Sequence, residues 1–298
     1  MSERLYRPSV VQAVLRRHGF TIKKGLGQNF LIDAHVLDAI VEAALAAGAG
    51  PGPRVAVEVG PGIGTLTQAL LEGGFDRVIA IEKDRALIPV LADTLQAYDG
   101  LEIVLADAVK VDFRSLLHNV PEQATLCFVS NLPYYITTPL IMRVLESSLP
   151  FTALVAMVQK EVAGRIVAPP GGKDYGALTV AVQYYSQPEI IASAPPTCFI
   201  PPPAVESAVI RLTIKADWLN VDRKLFFRIV RAAFGKRRKT LVNALASEFP
   251  FPKSELSDWL AAAGVDGRRR GETLGIQEFA ILAENYPMSI VHTRLDGD

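Results

Sequence analysis

Apolar residues fall along this chain in short unbroken runs, separated by stretches with helical spacing. The runs Val55–Val59, Arg77–Ile81, Leu101–Leu105, Leu126–Ser130 and Ala153–Val158 predict strands. Their continuity, in place of apolar–polar alternation, predicts strands covered on both faces, as in a parallel sheet. Thr65–Leu71, Ala86–Gln96 and Pro139–Ser147 lie between the runs and predict helices. Ahead of the first strand, Asp33–Ala47 carries Val36, Leu37, Ile40, Val41, Ala44 and Leu45 at helical spacing, and Gly48–Pro53 ends it. Alternating strands and helices predict a doubly wound α/β sheet with ligands at the carboxyl ends of its strands. Ala177–Tyr185 and Val205–Thr213 read as two further strands completing the sheet, joined through the prolines at 195–196 and 201–203. Past Lys215 the pattern turns charged and helical. The expected organisation is therefore a basic arm over 1–28, the sheet domain over 29–215 with its boundary near 216, and a small all-helical C-terminal domain over 216–298.

Composition changes this picture in two places. The chain has 298 residues, half of them hydrophobic, enough for a substantial core. Its formal net charge is zero, yet residues 1–27 hold six Lys or Arg against one acid, and residues 223–239 hold eight against none. Two basic segments within a neutral chain fit a polyanionic partner. The two cysteines, Cys127 and Cys198, and the lack of a Cys/His cluster at metal-ligand spacing suggest a reduced, cytoplasmic protein without structural metal. No apolar leader or bilayer-length run is present, so no membrane role is expected.

Candidate chemistry sits at the strand ends. Glu58-Val59-Gly60-Pro61-Gly62-Ile63-Gly64 follows the first strand and opens a helix. Its glycines permit close backbone approach to a ligand, and its spacing differs from the dinucleotide G-x-G-x-x-G. An acid two residues before the first glycine would repel a phosphate and attract a cation. This loop resembles the first motif of S-adenosylmethionine-dependent methyltransferases. Glu82 ends the second strand, where a carboxylate can accept from two ribose hydroxyls. Asp107 follows the third strand, placed either to accept from an adenine amine or to cap the next turn. Asn131-Leu132-Pro133-Tyr134 ends the fourth strand. Methylating a nucleobase amine needs acceptors for both amine hydrogens; the Asn131 side chain and the following carbonyls can supply them, and Tyr134 offers a face for stacking. Thr138-Pro139 reads as N-cap and first residue of the next helix. Gly25 to Leu31 reads as a strap over a ligand, and Phe199, on a proline-stiffened loop, could face a flipped base opposite Tyr134. Lys236-Arg237-Arg238-Lys239 is a candidate phosphate-binding patch, with Arg268-Arg269-Arg270 a weaker one.

Taken together, the strap, the glycine loop, Asn131-Leu132-Pro133-Tyr134, and Phe199 with its Pro-Pro-Pro-Ala-Val-Glu-Ser tail resemble the KsgA (RsmA) family of ribosomal RNA adenine dimethyltransferases over nearly the whole chain. The resemblance implies a Rossmann-like class I methyltransferase fold using S-adenosylmethionine. It implies that Gln28, Asn29, Leu31, Gly60, Gly62, Glu82, Asp107 and Asn131 form the donor site. Asn131, Leu132, Pro133, Tyr134 and Phe199 would hold the target adenine. The implied reaction dimethylates N6 of two adjacent adenines in the 3′-terminal hairpin loop of 16S ribosomal RNA, on an immature 30S subunit, late in assembly. A monomer is expected. Two other readings stay open. Methyltransferases of the same architecture modify large-subunit RNA (the Erm type); Leu132 and the long helical tail favour the small-subunit reading. A non-enzymatic assembly factor could keep the fold, but intact Glu58, Glu82, Asp107 and Asn131 argue against a lost donor site. DNA adenine methyltransferases resemble D/N-P-P-Y, whereas Leu132 occupies the second position here.

Overall fold

The computed structural model describes residues 3–23, 25, 27–46, 48, 50–215, 219–236 and 238–287. The chain divides into two compact units, residues 1–163 with 186–214, and residues 164–185 with 215–298. The boundary expected near 216 falls outside the described residues.

The first unit opens with α1 (Pro8–Arg17), the short β1 (Phe30–Leu31) and α2 (Ala34–Leu45). Asp33 caps α2 by accepting from the Val36 N–H at 3.0 Å. The sheet begins with β2 (Arg54–Val59), α3 (Thr65–Gly73), β3 (Arg77–Glu82), α4 (Ile88–Thr94) and β4 (Leu101–Leu105). It continues with α5 (Phe113–Leu116), β5 (Thr125–Asn131), α6 (Thr137–Glu146) and β6 (Phe151–Gln159). After α7 (Lys160–Val167) and α8 (Ala177–Tyr185) come β7 (Ser186–Ala194), β8 (Phe199–Ile200) and β9 (Ser207–Ile214). The seven-stranded sheet has the order β4-β3-β2-β5-β6-β9-β7. Its first five strands run parallel, whereas β9 is antiparallel to both β6 and β7.

Alternation across the pleat builds the layers. On one face Ala56, Val78, Cys127, Val129, Val155 and Met157 pack with Val36, Leu37 and Ile40 of α2 and Leu66 and Leu70 of α3. On the other, Phe128 meets Phe113 and Phe151 edge-on, at 6.4 and 6.3 Å. The N-terminal segment is basic on its outside but buries Leu5, Val11 and Val14. It is tied to α3 by the Leu5 N–H donating to Gln68 Oε1 at 2.9 Å, and to Asp93 of α4 by His18 at 2.8 Å.

Two local expectations change. Ala177–Tyr185 is the helix α8, not a strand. Thr179, Val180, Val182 and Tyr184 are buried, so the run lacks a polar face, and its β-branched and aromatic residues imitate a covered strand. The strand that closes the sheet is the following Ser186–Ala194, whose Pro188 is tolerated because β7 lies at the sheet edge. The fourth intervening helix begins at Thr137, one residue before the expected cap, with Ile136 at its N-cap. Pro139 then occupies the first turn, where no intrahelical partner for its missing N–H is needed.

The second unit holds α8 together with α9 (Arg223–Gly235), α10 (Leu241–Leu245), α11 (Lys253–Ala262) and α12 (Ile276–Glu284). Phe226, Leu241, Leu245, Leu256, Trp259 and Phe279 form its core. The Trp259 indole N–H satisfies its burial by donating to the Leu282 carbonyl at 3.0 Å.

Candidate active site

β2 and β5 are neighbours, but the chain leaves them in opposite directions, β2 toward β3 and β4, β5 toward β6. The crevice beyond their carboxyl ends is the topological switch point, where ligands bind in sheets of this kind. A cleft of about 1030 Å³, partly open to solvent, lies there. Each residue that the sequence suggested for a donor or a base lines it: Gln28, Asn29, Leu31, Gly60, Gly62, Glu82, Asp107, Asn131, Leu132, Pro133, Tyr134 and Phe199.

The glycine loop turns through positive φ at Gly60, Gly62 and Gly64 before α3 starts. Glu58 points back into the fold. The Thr67 hydroxyl donates to its Oε2 at 2.7 Å. Burial pushes its carboxyl up to about 8, Thr67 opposing and Glu82 adding to the rise. Glu82 is also buried, which raises its pKa, while the N–H groups of Asp84, Lys83 and Gly62 hold it down. The Asp84 N–H reaches Glu82 Oε1 at 2.7 Å. Of the two roles expected for Asp107, the structure shows the cap. Oδ1 caps the next turn through the Val109 N–H at 3.1 Å, while Oδ2 lies 3.0 Å from Lys83 Nζ. The bond from Lys83 holds the Asp107 carboxyl below its ordinary value.

At the end of β5 the Asn131 amide is oriented by the strap, its Nδ2 donating to the Asn29 carbonyl at 3.2 Å. That leaves Oδ1 as an acceptor. The Pro133 carbonyl is engaged twice, by the Ile136 N–H at 3.1 Å and the Thr137 hydroxyl at 3.2 Å. Among the described residues the Leu132 carbonyl accepts from none. Of the carbonyls that follow Asn131, Leu132 is thus the one that can join Oδ1 in holding an amine. Tyr134 is half-buried, its hydroxyl 2.7 Å from Ser207 Oγ at the start of β9. Phe199 is buried on β8, which pairs antiparallel with β1 so that Leu31 lies opposite Phe199 and Phe30 opposite Ile200.

The ribosomal RNA adenine dimethylase family profile matches residues 19–283. The chain belongs to the ribosomal RNA adenine dimethylase family. Its relatives include proteins called ribosomal RNA small subunit methyltransferase A. The one from Alkaliphilus oremlandii is 47% identical, covering 95% of this chain and 98% of its own. The one from Geobacillus thermodenitrificans is 46% identical, covering 95% and 97%. Among solved structures, a dimethyladenosine transferase from Plasmodium falciparum matches with a TM-score of 0.70 and 27% identity, covering 85% of this chain and 95% of its own. The 23S rRNA methyltransferase ErmE matches at 0.66 and 26%, covering 86% and 99%. The sheet is thus the class I methyltransferase sheet, and the protein is an enzyme of the adenine dimethylase family.

Lys83, Asp84 and Ser207 were not foreseen as site residues. Lys83 and Asp84 carry a faint signal in following Glu82 directly; Ser207 carries none. Lys236, Arg238 and Lys239 lie in the second unit, exposed in the turn after α9, and Arg237 lies outside the described residues. Arg268 and Arg269 are engaged by Asp266 and Glu278. Among the described residues no cluster of His, Cys, Asp or Glu could hold a metal, and no helix is long and apolar enough to cross a membrane.

Proposed function

We propose that this enzyme transfers methyl groups from S-adenosylmethionine to N6 of two adjacent adenines in the 3′-terminal hairpin loop of 16S ribosomal RNA, acting as a monomer on an immature 30S subunit late in assembly in the cytoplasm. The observation that carries the reading is the acceptor pair at the end of β5. Among the described residues Asn131 Oδ1 and the Leu132 carbonyl accept from no protein donor, while the Pro133 carbonyl is committed to the turn and Asn131 Nδ2 to the strap. The small-subunit target is favoured by the 46–47% identity to small-subunit methyltransferases, against 26% to ErmE.

The cleft fits the donor by the chemistry of its lining. Glu82 would accept from ribose hydroxyls, Asp107 Oδ2 from the adenine amine in exchange for Lys83, and Asn29, Leu31, Gly60 and Gly62 would supply close walls. Gln28 would contribute by shaping the strap. Bound there, S-adenosylmethionine supplies an electrophilic methyl group on a sulfonium. The protein's task is to present the amine. An adenine N6 lone pair is delocalised into the ring; acceptors on both its hydrogens let nitrogen become tetrahedral. Asn131 Oδ1 and the Leu132 carbonyl then face the positive charge that grows on nitrogen, and because their geometry is set beforehand they need no reorganisation. The proton leaves easily once nitrogen is cationic, so no strong base is required. Tyr134 and Phe199 would pin the base and exclude water, and most of the acceleration comes from positioning two reactants. Lys236, Arg237, Arg238 and Lys239 would hold RNA phosphates.

The test offers the purified enzyme, with labelled donor, immature small subunits and large subunits from cells lacking the gene. Mass spectrometry of the RNA should find N6,N6-dimethyladenine at two neighbouring positions of the small-subunit RNA. Label confined to large-subunit RNA, or none in either, would overturn the proposal.

A further inference from the structure

Asp84 is nearly enclosed, its side chain 5% exposed, and donors from a distant segment converge on it. Lys23 Nζ reaches Oδ1 at 2.8 Å and Gln28 Nε2 reaches Oδ2 at 3.2 Å, beside the Ala86 N–H at 3.1 Å. Gln28 Oε1 in turn accepts from the Lys23 N–H at 2.7 Å, so Lys23, Gln28 and Asp84 close a ring. Burial by itself would raise the Asp84 pKa; the bonds from Lys23, Ala86 and Gln28 outweigh it and hold the carboxyl below its ordinary value.

The same segment is tied on the other side of the cleft. The Asn29 carbonyl accepts from Asn131 Nδ2, and a methyl group built on Gly27 would lie 3.6 Å from Pro133 Cβ. The strap residues Lys23 and 27–29 therefore link the tip of β3, where Glu82 stands, to the tip of β5, where Asn131 stands. On the β3 side, among the described residues, two side-chain hydrogen bonds tie the strap to Asp84, and the Lys23–Gln28 bond braces it internally.

We propose that Asp84 is a positioning residue that fixes the strap across the cleft, and that its carboxylate sets how long a bound sulfonium nucleoside stays. The inference rests on the donor site proposed above. Asp84 itself bonds through the strap and the Glu82 turn, and the Asn29–Asn131 bond at the far end of the strap does not involve it, so its removal should act on binding and spare chemistry. A buried carboxylate that receives two donors from one segment acts as a latch, because taking away its charge weakens the bonds from Lys23 and Gln28 together.

The experiment uses the full chain with Asp84→Asn and, separately, Lys23→Met, which removes the same ion pair from its half-exposed side. Stopped-flow displacement of S-adenosylhomocysteine should show dissociation at least tenfold faster for Asp84→Asn and several-fold faster for Lys23→Met. In turnover, KM for the donor should rise in parallel while kcat and KM for RNA stay within about threefold. Hydrogen exchange without any nucleoside should show faster exchange over residues 27–32 in both variants. The double variant should be no worse than Asp84→Asn alone, because both remove one link. If Asp84→Asn does not fold, Lys23→Met decides. Unchanged dissociation and exchange, or kcat falling with donor affinity intact, would overturn the latch while leaving the donor site standing. Wild-type protein that bound no S-adenosylhomocysteine would overturn both.

Discussion

Alanine placed at Gly60 and, separately, at Gly64 separates backbone strain from packing in the loop that leads out of β2. Both residues have positive φ, +68° and +92°. A side chain in the left-handed region costs about 1–2 kcal/mol at either position. The space differs. At Gly60 a new Cβ would find Pro133 at 3.9 Å, an ordinary contact. At Gly64 it would fall 2.6 Å from Leu95 Cδ1 and 2.9 Å from Leu95 Cγ. Leu95 cannot swing outward, because it is buried with Leu5 and Leu91 against Tyr98, Leu101 and Ile103. Overpacking of that kind costs a further ~1–3 kcal/mol. Gly60→Ala should therefore lose about 1–2 kcal/mol and Gly64→Ala about 2–5 kcal/mol. Urea unfolding read by a probe in the first unit gives both values. The decisive variant is Gly64→Ala with Leu95→Ala, which supplies the missing room and should be less damaging than the two single losses combined by about 1 kcal/mol or more. Equal single losses within about 0.5 kcal/mol, or strict additivity in the double variant, would refute the packing argument.

Three other outcomes are expected. Glu58 is held at about 8 against an ordinary 4.5, so its contribution to stability is complete below 4.5 and fades as pH rises through 8. Glu58→Gln should flatten the decline in urea midpoint between pH 5.5 and 8.5, and a slope equal to that of the parent protein would contradict the assignment. Tyr134→Ala should lower kcat/KM for RNA by about 10–100-fold, the worth of one stacked base, with donor affinity within twofold. Tyr134→Phe, which loses only the bond to Ser207, should cost about 1 kcal/mol or less of stability and keep most of the activity; equal loss of donor binding would take Tyr134 out of the base subsite. Replacing Lys236, Arg238 and Lys239 by alanine should make the dependence of log affinity on log salt shallower by about one for each phosphate that is no longer neutralised, and an unchanged slope in filter binding would remove the cluster from the RNA face.

The sheet was legible because β2, β3, β5 and β6 are apolar on both faces, a pattern no exposed element imitates. The strand-end residues were legible for a related reason: in a doubly wound sheet every parallel strand ends on the same side, so Gly60, Glu82, Asp107 and Asn131 had to converge. The helix α8 was misread because burial on nearly all sides erases the period that tells a helix from a strand. The Asp84 ring was invisible because its partners are 56 and 61 residues away in sequence, and nothing local marks Lys23 or Gln28 as their counterparts. The division of labour between Leu132 and Pro133 could not be seen either, since it depends on where α6 begins.

The two-residue ladder between β1 and β8 joins stretches separated by nearly the whole first unit. One stretch leads from Asn29, proposed to meet the methyl donor; the other carries Phe199, proposed to meet the base. Their spacing is therefore governed by main-chain pairing, with little freedom for either to drift. An insertion in one of these connections would misalign both reactants simultaneously, so the lengths of the two segments, more than the identity of their side chains, set the tolerance of the reaction centre.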